Sequence, residues 1–160
     1  NKIAVDPDPL FDHKNLKKVS SDEFFKNNTE TFDIIFIDGL HLEQQVDKDI
    51  SNSLSCISKN GLIIMHDCNP PSEFHQREKY EVNGEYPAWN GTVWKSFAKL
   101  RMKNVNLSQS CVDCDWGVGI IRKSKQSIFE LNGNLDFNFL DKNRVNLLNL
   151  ISVKNFIKNY

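Results

Sequence analysis

The 160-residue chain has little of what narrows a function by composition alone. Its 20 Lys and Arg face 21 Asp and Glu for a net charge of −1. There is no basic surplus of the kind that holds a phosphate backbone, so nucleic acid is not an expected partner. No stretch approaches the ~20 apolar residues that span a bilayer, and no membrane partner is expected either. The opening NKIAVDPDPLF lacks a cationic segment followed by a long apolar one and does not read as a signal peptide. Cysteine is sparse, at four residues: Cys56, Cys68, Cys111 and Cys114. Cys111 and Cys114 form a lone CxxC with no second CxxC or histidine pair at zinc-ribbon spacing. They read as reduced thiols in or near strands, and a cytoplasmic location is expected. Glycine and alanine are scarce beside Lys and Asn, which reads as compositional drift. Repeats and low-complexity linkers are absent from the sequence. The length suits one domain able to bury its own core.

What the sequence does have is a set of short apolar runs that end in chemistry. KIAV, residues 2–5, reads as a strand stopped by DPDP, where proline forbids continuation. SSDEFF, residues 20–25, reads as a helix start with Ser20 and Glu23 at capping-box spacing. Residues 33–38 form an apolar run without alternation, which predicts a strand covered on both faces in a parallel sheet. Val46, Ile50, Leu54 and Ile57 then recur at helical spacing and predict a helix over 42–57, broken at Asn60-Gly61. Residues 62–66 predict the next buried strand, which completes a right-handed βαβ unit. Residues 69–88 are a long polar loop, a length that inside a compact domain is usually functional or mobile. In WNGTVWKSFAKL, Asn90 predicts an N-cap, with Trp89 and Trp94 as a hydrophobic staple. Residues 105–112 and 116–122, separated by DCD, predict an antiparallel strand pair. The tail adds two helical stretches, the last one capped by Ser152. The chain is thus read as an α/β domain over residues 1–124 with a helical C-terminal extension over 125–160.

In such sheets ligands bind beyond the carboxyl ends of the strands. Asp6, Asp38, His41, His66 and Asp67 all fall there. A carboxylate at Asp6 can accept both hydroxyls of a ribose, although Asp-Pro is also a plain turn former. A buried unpaired acid at Asp38 would cost about 1–3 kcal/mol, which argues for a role. His41 and His66 could equally be satisfied polar residues at strand ends. Trp89, Trp94 and Trp116 read as core and staple residues before they read as a substrate cage.

Taken together, VDPDP, FDIIFIDGLH, IIMHDCNPP, WNGTVWK and DWGVGIIRK resemble, in this order, the class I S-adenosylmethionine-dependent methyltransferases. The likeness is closest to the small-molecule O-methyltransferase branch and covers roughly residues 3–123. It implies a Rossmann-like sheet, mostly parallel with an antiparallel C-terminal pair. The family's first βα unit and its glycine-rich turn have no counterpart ahead of Asp6, so the chain is expected to be part of a longer protein. The resemblance assigns Asp6, Ser21, Asp22, Asp38 and Gly39 to the S-adenosylmethionine site, and His41, Asp38 and Asp67 to catalysis. It implies a divalent cation such as Mg²⁺ on Asp38 and Asp67 with Asn69 as a further ligand, although Cys68 stands where the family has that ligand. The expected partners are a small-molecule acceptor with a hydroxyl group and a second copy of the chain. Two other readings stay open: a catalytically inactive scaffold on the same fold, and a nucleotide- or NAD-binding domain.

Overall fold

The computed structural model describes residues 2–130 and 133–159. Five strands form the main sheet in the order β3-β4-β6-β5-β7, with β3 at Phe32–Ile37, β4 at Ile57–Met65, β5 at Ser108–Val112, β6 at Val118–Arg122 and β7 at Leu150–Ile151. Two shorter strands, β1 (Ala4–Val5) and β2 (Leu16–Lys17), pair in parallel as a separate sheet. The α/β class is as expected, but the sheet is mixed rather than mostly parallel. β3–β4 and β5–β7 are parallel, while β6 runs antiparallel to both β4 and β5. The reason is the short turn 113–117, which sends the chain back beside β5 and inserts β6 between it and β4.

The helices are α1 (Ser21–Asn27), α2 (Glu43–Cys56), α3 (Val93–Lys103), α4 (Phe137–Leu147) and α5 (Val153–Asn159). Ser20 caps α1 as read, its hydroxyl accepting the Glu23 N–H at 3.2 Å. Ser152 does the same for Asn155 at the start of α5. Two boundaries differ from the sequence reading. Helix α2 ends at Cys56, and Asn60-Gly61 lie inside β4. Ile57 already takes extended backbone there, because its side chain is buried against the sheet core. Asn90 is not the cap of α3, whose first turn follows Thr92.

The core lies on one face of the sheet. Ile37, Ile63, Met65, Ile121 and Cys111 meet Val46 and Ile50 of α2 and Trp94, Phe97 and Ala98 of α3. Leu140, Leu147 and Leu148 from the tail join the same cluster at 0% exposure. Lys99 pins α3 to α2 through Glu43 at 2.7 Å and Asp47 at 2.6 Å. The opposite face is open at β3. Ile34 and Phe36 are 61% and 58% exposed, where the sequence reading expected both faces covered. They pair in register with half-buried Leu62 and Ile64 of β4, and β4 is the only strand β3 pairs with among the described residues. No helix among the described residues is long and apolar enough to cross a membrane.

Candidate active site

The tips of β3 and β4 bring two acids and two imidazoles together. Strand β3 delivers Asp38, and three residues later His41 closes the turn into α2. The His41 carbonyl accepts the Thr92 N–H at 2.8 Å, while the Thr92 hydroxyl accepts the Glu43 N–H at 2.8 Å. Gly91 beside it has φ 59°, and a Cβ there would run into the His41 backbone. Gly91→Ala is therefore expected to cost about 1–3 kcal/mol, the range for a residue forced into a strained region. Urea unfolding checks this, and an unchanged midpoint would show that the contact yields.

At β4 the ladder runs one residue past the strand, with the His66 N–H donating to the Ile37 carbonyl at 3.1 Å. Asp67 then takes a left-handed backbone, φ 61°. The N–H groups of Cys68 and Asn69 donate to the carbonyls of Gly117 and Trp116 at 2.9 and 2.7 Å. This ties the β4 tip to the β5–β6 turn, in which Asp115, Trp116 and Gly117 all have positive φ. That turn aims Asp115 at the cluster.

Asp67 is 2% exposed and lies 3.2 Å from Nδ1 of both His41 and His66. Its other oxygen accepts from the Asn90 amide at 2.6 Å. Asp38 lies 3.5 Å from His41 Nε2 and 3.4 Å from His66 Nδ1. His66 Nε2 faces Asp115 at 3.1 Å. These contacts set the charges. Burial alone would push both imidazoles down, but the surrounding carboxylates hold His41 and His66 above their ordinary value. The hydrogen bond from His41 holds Asp38 below the usual carboxylate range. Burial pushes Asp67 up, and the two imidazoles offset this only in part. The donor atoms of Asp38, His66 and Asp67 lie within 4.8 Å of one another, a grouping able to hold a divalent ion.

The other expected site residues lie elsewhere. Ser21 and Asp22 form a hub at the start of α1, where the Gln45 amide donates to both and to buried Asp49. Lys48 pairs with Asp22 at 2.9 Å. Asp6 is exposed at the end of β1, and one of its oxygens accepts the Asp8 N–H at 2.8 Å. Gly39 is exposed, with open space around the position of a Cβ. The Asn69 carboxamide is engaged away from the cluster, accepting from Arg144 at 2.5 Å and donating to Asp113 at 3.3 Å.

Residues 4–68 match a family model described as a methyltransferase domain. The likeness to methyltransferases is thus one of this segment. The methyltransferase match runs from β1 through the β4 tip, so Asp6, Ser21, Asp22, Asp38, Gly39, His41 and Asp67 fall inside it. Asn69 and the loop after it fall outside. The comparison with curated proteins gives no match.

Several residues of the candidate site were not visible in the sequence. Asp115 lies in a turn 48 positions beyond Asp67, and DCDWG carries only a turn signal. Asn90 reads as a cap but is fully buried against Asp67. Trp89 reads as a staple but stacks on His41, with ring centroids 5.1 Å apart and planes at 24°. The loop expected to be mobile is cross-braced: the Asn90 and Gly91 N–H groups donate to the His75 carbonyl, and the Trp94 indole donates to Gln76 at 2.8 Å.

Proposed function

We propose that the protein transfers a methyl group from S-adenosylmethionine to a hydroxyl group of a small molecule, with sugars among the acceptors that fit. The observation that carries this reading is the convergence of His41, His66, Asp38 and Asp67 at the carboxyl ends of β3 and β4, inside the matched segment. When bound, S-adenosylmethionine supplies a methyl group on a positively charged sulfur. Asp6, beyond β1, would accept the ribose hydroxyls with the oxygen its own turn leaves over. Ser21 and Asp22 would hold the adenine end from the hub on α1, and Asp38 and Gly39 would line the path between.

A hydroxyl is a weak nucleophile until its proton leaves. His41 Nε2 is suited to take that proton: the acceptor O–H bond breaks, an N–H bond forms, and the freed pair stays on oxygen. Asp67 and Asp38 stabilise the imidazolium that results, and Trp89 covers one face of the ring and limits water there. The donor set of Asp38, His66 and Asp67 fits a divalent ion with mixed oxygen and nitrogen ligands, such as Mn²⁺, as well as Mg²⁺. Such an ion would lower the pKa of a bound hydroxyl.

Titration calorimetry with S-adenosylhomocysteine tests the cofactor half of the reading. Asp6→Ala should weaken that binding by about 1.5–3 kcal/mol, the range for hydrogen bonds to a charged group. Equal affinity in a folded variant would leave Asp6 as a turn residue. Absence of any binding by the parent protein would remove the reading altogether.

A further inference from the structure

Between the β5–β6 turn and helix α4 lies an open cavity of about 400 Å³. Its wall comes from three places: Asp113, Asp115 and Trp116 of the turn, Asn69 after β4, and Asp141 and Arg144 of α4. All of them lie outside the segment that matches the methyltransferase model. Asp115 joins the cavity to the cluster at the strand tips, its carboxylate 3.1 Å from His66 Nε2. A molecule seated in the cavity therefore lies within one side chain of that cluster.

Trp116 reads from the sequence as a core residue but is 43% exposed. Its backbone is left-handed, φ 57°, and its carbonyl accepts the Asn69 N–H at 2.7 Å. A bulky residue in that conformation is uncommon and strained, and it persists where the surrounding contacts enforce it. The indole lies beside the His75 ring, with centroids 6.3 Å apart and planes at 54°. An exposed indole on the wall of a cavity offers a ligand a broad, flat apolar surface.

The polar part of the wall selects the ligand. Arg144 is engaged by the protein: Nη1 donates to the Asn69 carboxamide at 2.5 Å and the Pro70 carbonyl at 2.9 Å, and Nη2 to Asp141 at 3.2 Å. Three carboxylates beside one engaged guanidinium make the cavity net negative, which disfavours phosphates and carboxylates. Ionised carboxylates only accept, so the ligand must bring donors. Asp38, His66 and Asp67 are the one group among the described residues whose ligand atoms converge as a cation needs. Asp113, Asp115 and Asp141 are instead spread around the cavity and address donors at separate positions on one ligand. Several hydroxyls on one ring, with a face of C–H groups for the indole, describe a sugar.

We infer that this cavity is the acceptor subsite and that it takes a neutral sugar ring, with Trp116 against the C–H face and Asp113, Asp115 and Asp141 accepting from the hydroxyls. The inference rests on the reading of the protein as an O-methyltransferase and narrows its acceptor to one chemical class. It also gives the C-terminal extension a task, because α4 forms one wall of the subsite.

Saturation-transfer NMR on the full chain, with and without S-adenosylhomocysteine, tests this. The probes are the methyl glycosides of glucose, galactose and rhamnose, with glucose phosphate and catechol as controls. At least one glycoside should bind. Trp116→Ala should weaken it by about 10-fold or more, the loss expected for an aromatic anchor at the centre of a contact, and Trp116→Phe should restore most of it. Asp141→Asn, on the exposed side of α4, keeps an acceptor for Arg144 and should weaken the same glycoside several-fold; if Trp116→Ala does not fold, this variant decides. S-adenosylhomocysteine affinity should be unchanged in all three variants. Binding of none of the glycosides would overturn the inference. So would tighter binding of glucose phosphate or catechol, or unchanged glycoside affinity in the folded variants. Failure of S-adenosylhomocysteine to bind, with glycoside binding intact, would instead remove the methyltransferase reading and leave the sugar site standing, so the two failures are distinguishable.

Discussion

His41→Ala is expected to lower turnover by about 10²–10⁴-fold, the usual loss for a general base, while leaving S-adenosylhomocysteine affinity unchanged. The environment sharpens this into a pH profile. Asp38 and Asp67 hold the imidazole above its ordinary value despite burial. A base must be neutral to act, so the rate should be low where His41 is protonated and should rise with pH through its raised pKa. The limb should therefore lie above pH ~6.5, the value of a free imidazole. His41→Ala should remove that limb as well as the rate. Chelation separates the alternative. If a cation on Asp38, His66 and Asp67 does the activating, a chelator should abolish turnover, Mn²⁺ or Mg²⁺ should restore it, and His41→Ala should cost little. Full activity in a chelator-treated His41→Ala variant would sink both versions.

The largest loss of stability is expected at Trp94. The side chain is 0% exposed and packs in the cluster that joins α3 to the sheet, with Val93 and Phe97 beside it. Trp94→Ala should cost about 3–5 kcal/mol, because it removes buried surface and leaves a cavity that close-packed neighbours fill only in part. It also strips Gln76 of the indole N–H that it accepts at 2.8 Å, and so frees one anchor of the loop between β4 and α3. Domains of this size carry about 5–15 kcal/mol in total, so the variant should sit close to its unfolding threshold. Urea denaturation measures the loss directly. A change below about 1 kcal/mol would mean that the site collapses around the missing ring.

Why some of this was readable from sequence and some was not follows from range. The β3–α2–β4 unit was legible because each part is set by local spacing: an apolar run, a helical repeat of Val46, Ile50 and Leu54, and a second apolar run. The acids and imidazoles at the tips were legible for the same reason, since a polar residue directly after a buried strand can only stand at its end. The end of α2 was missed because Ile57 is pulled into extended backbone by the core it enters, a tertiary demand that outweighs the Asn60-Gly61 turn signal. The exposed face of β3 was missed because absence of alternation reports sequence and not what covers it. The site partners Asp115, Asn90 and Trp89 come from the far side of the fold. Asp115 is aimed by three consecutive left-handed residues, of which only Gly117 announces that conformation in sequence.

The uncovered border of the sheet has a consequence for how the chain behaves in a crowded solution. Phe32–Ile37 is six residues long, contains no proline or glycine, and carries a single charge at Asp33. Its outer margin has no strand beside it among the described residues, and Ile34 and Phe36 stand out from one side of it. Natural sheets blunt such margins with lysine, proline or a bulge, because an open row of backbone donors and acceptors is a template for any passing strand. Here the blunting is confined to the start of the strand, to Asp33 and a register shift against β4 between Phe32 and Ile34. The same segment that ends at Asp38 is therefore an open template for another strand, and the geometry of the candidate site is tied to whatever comes to lie along that margin.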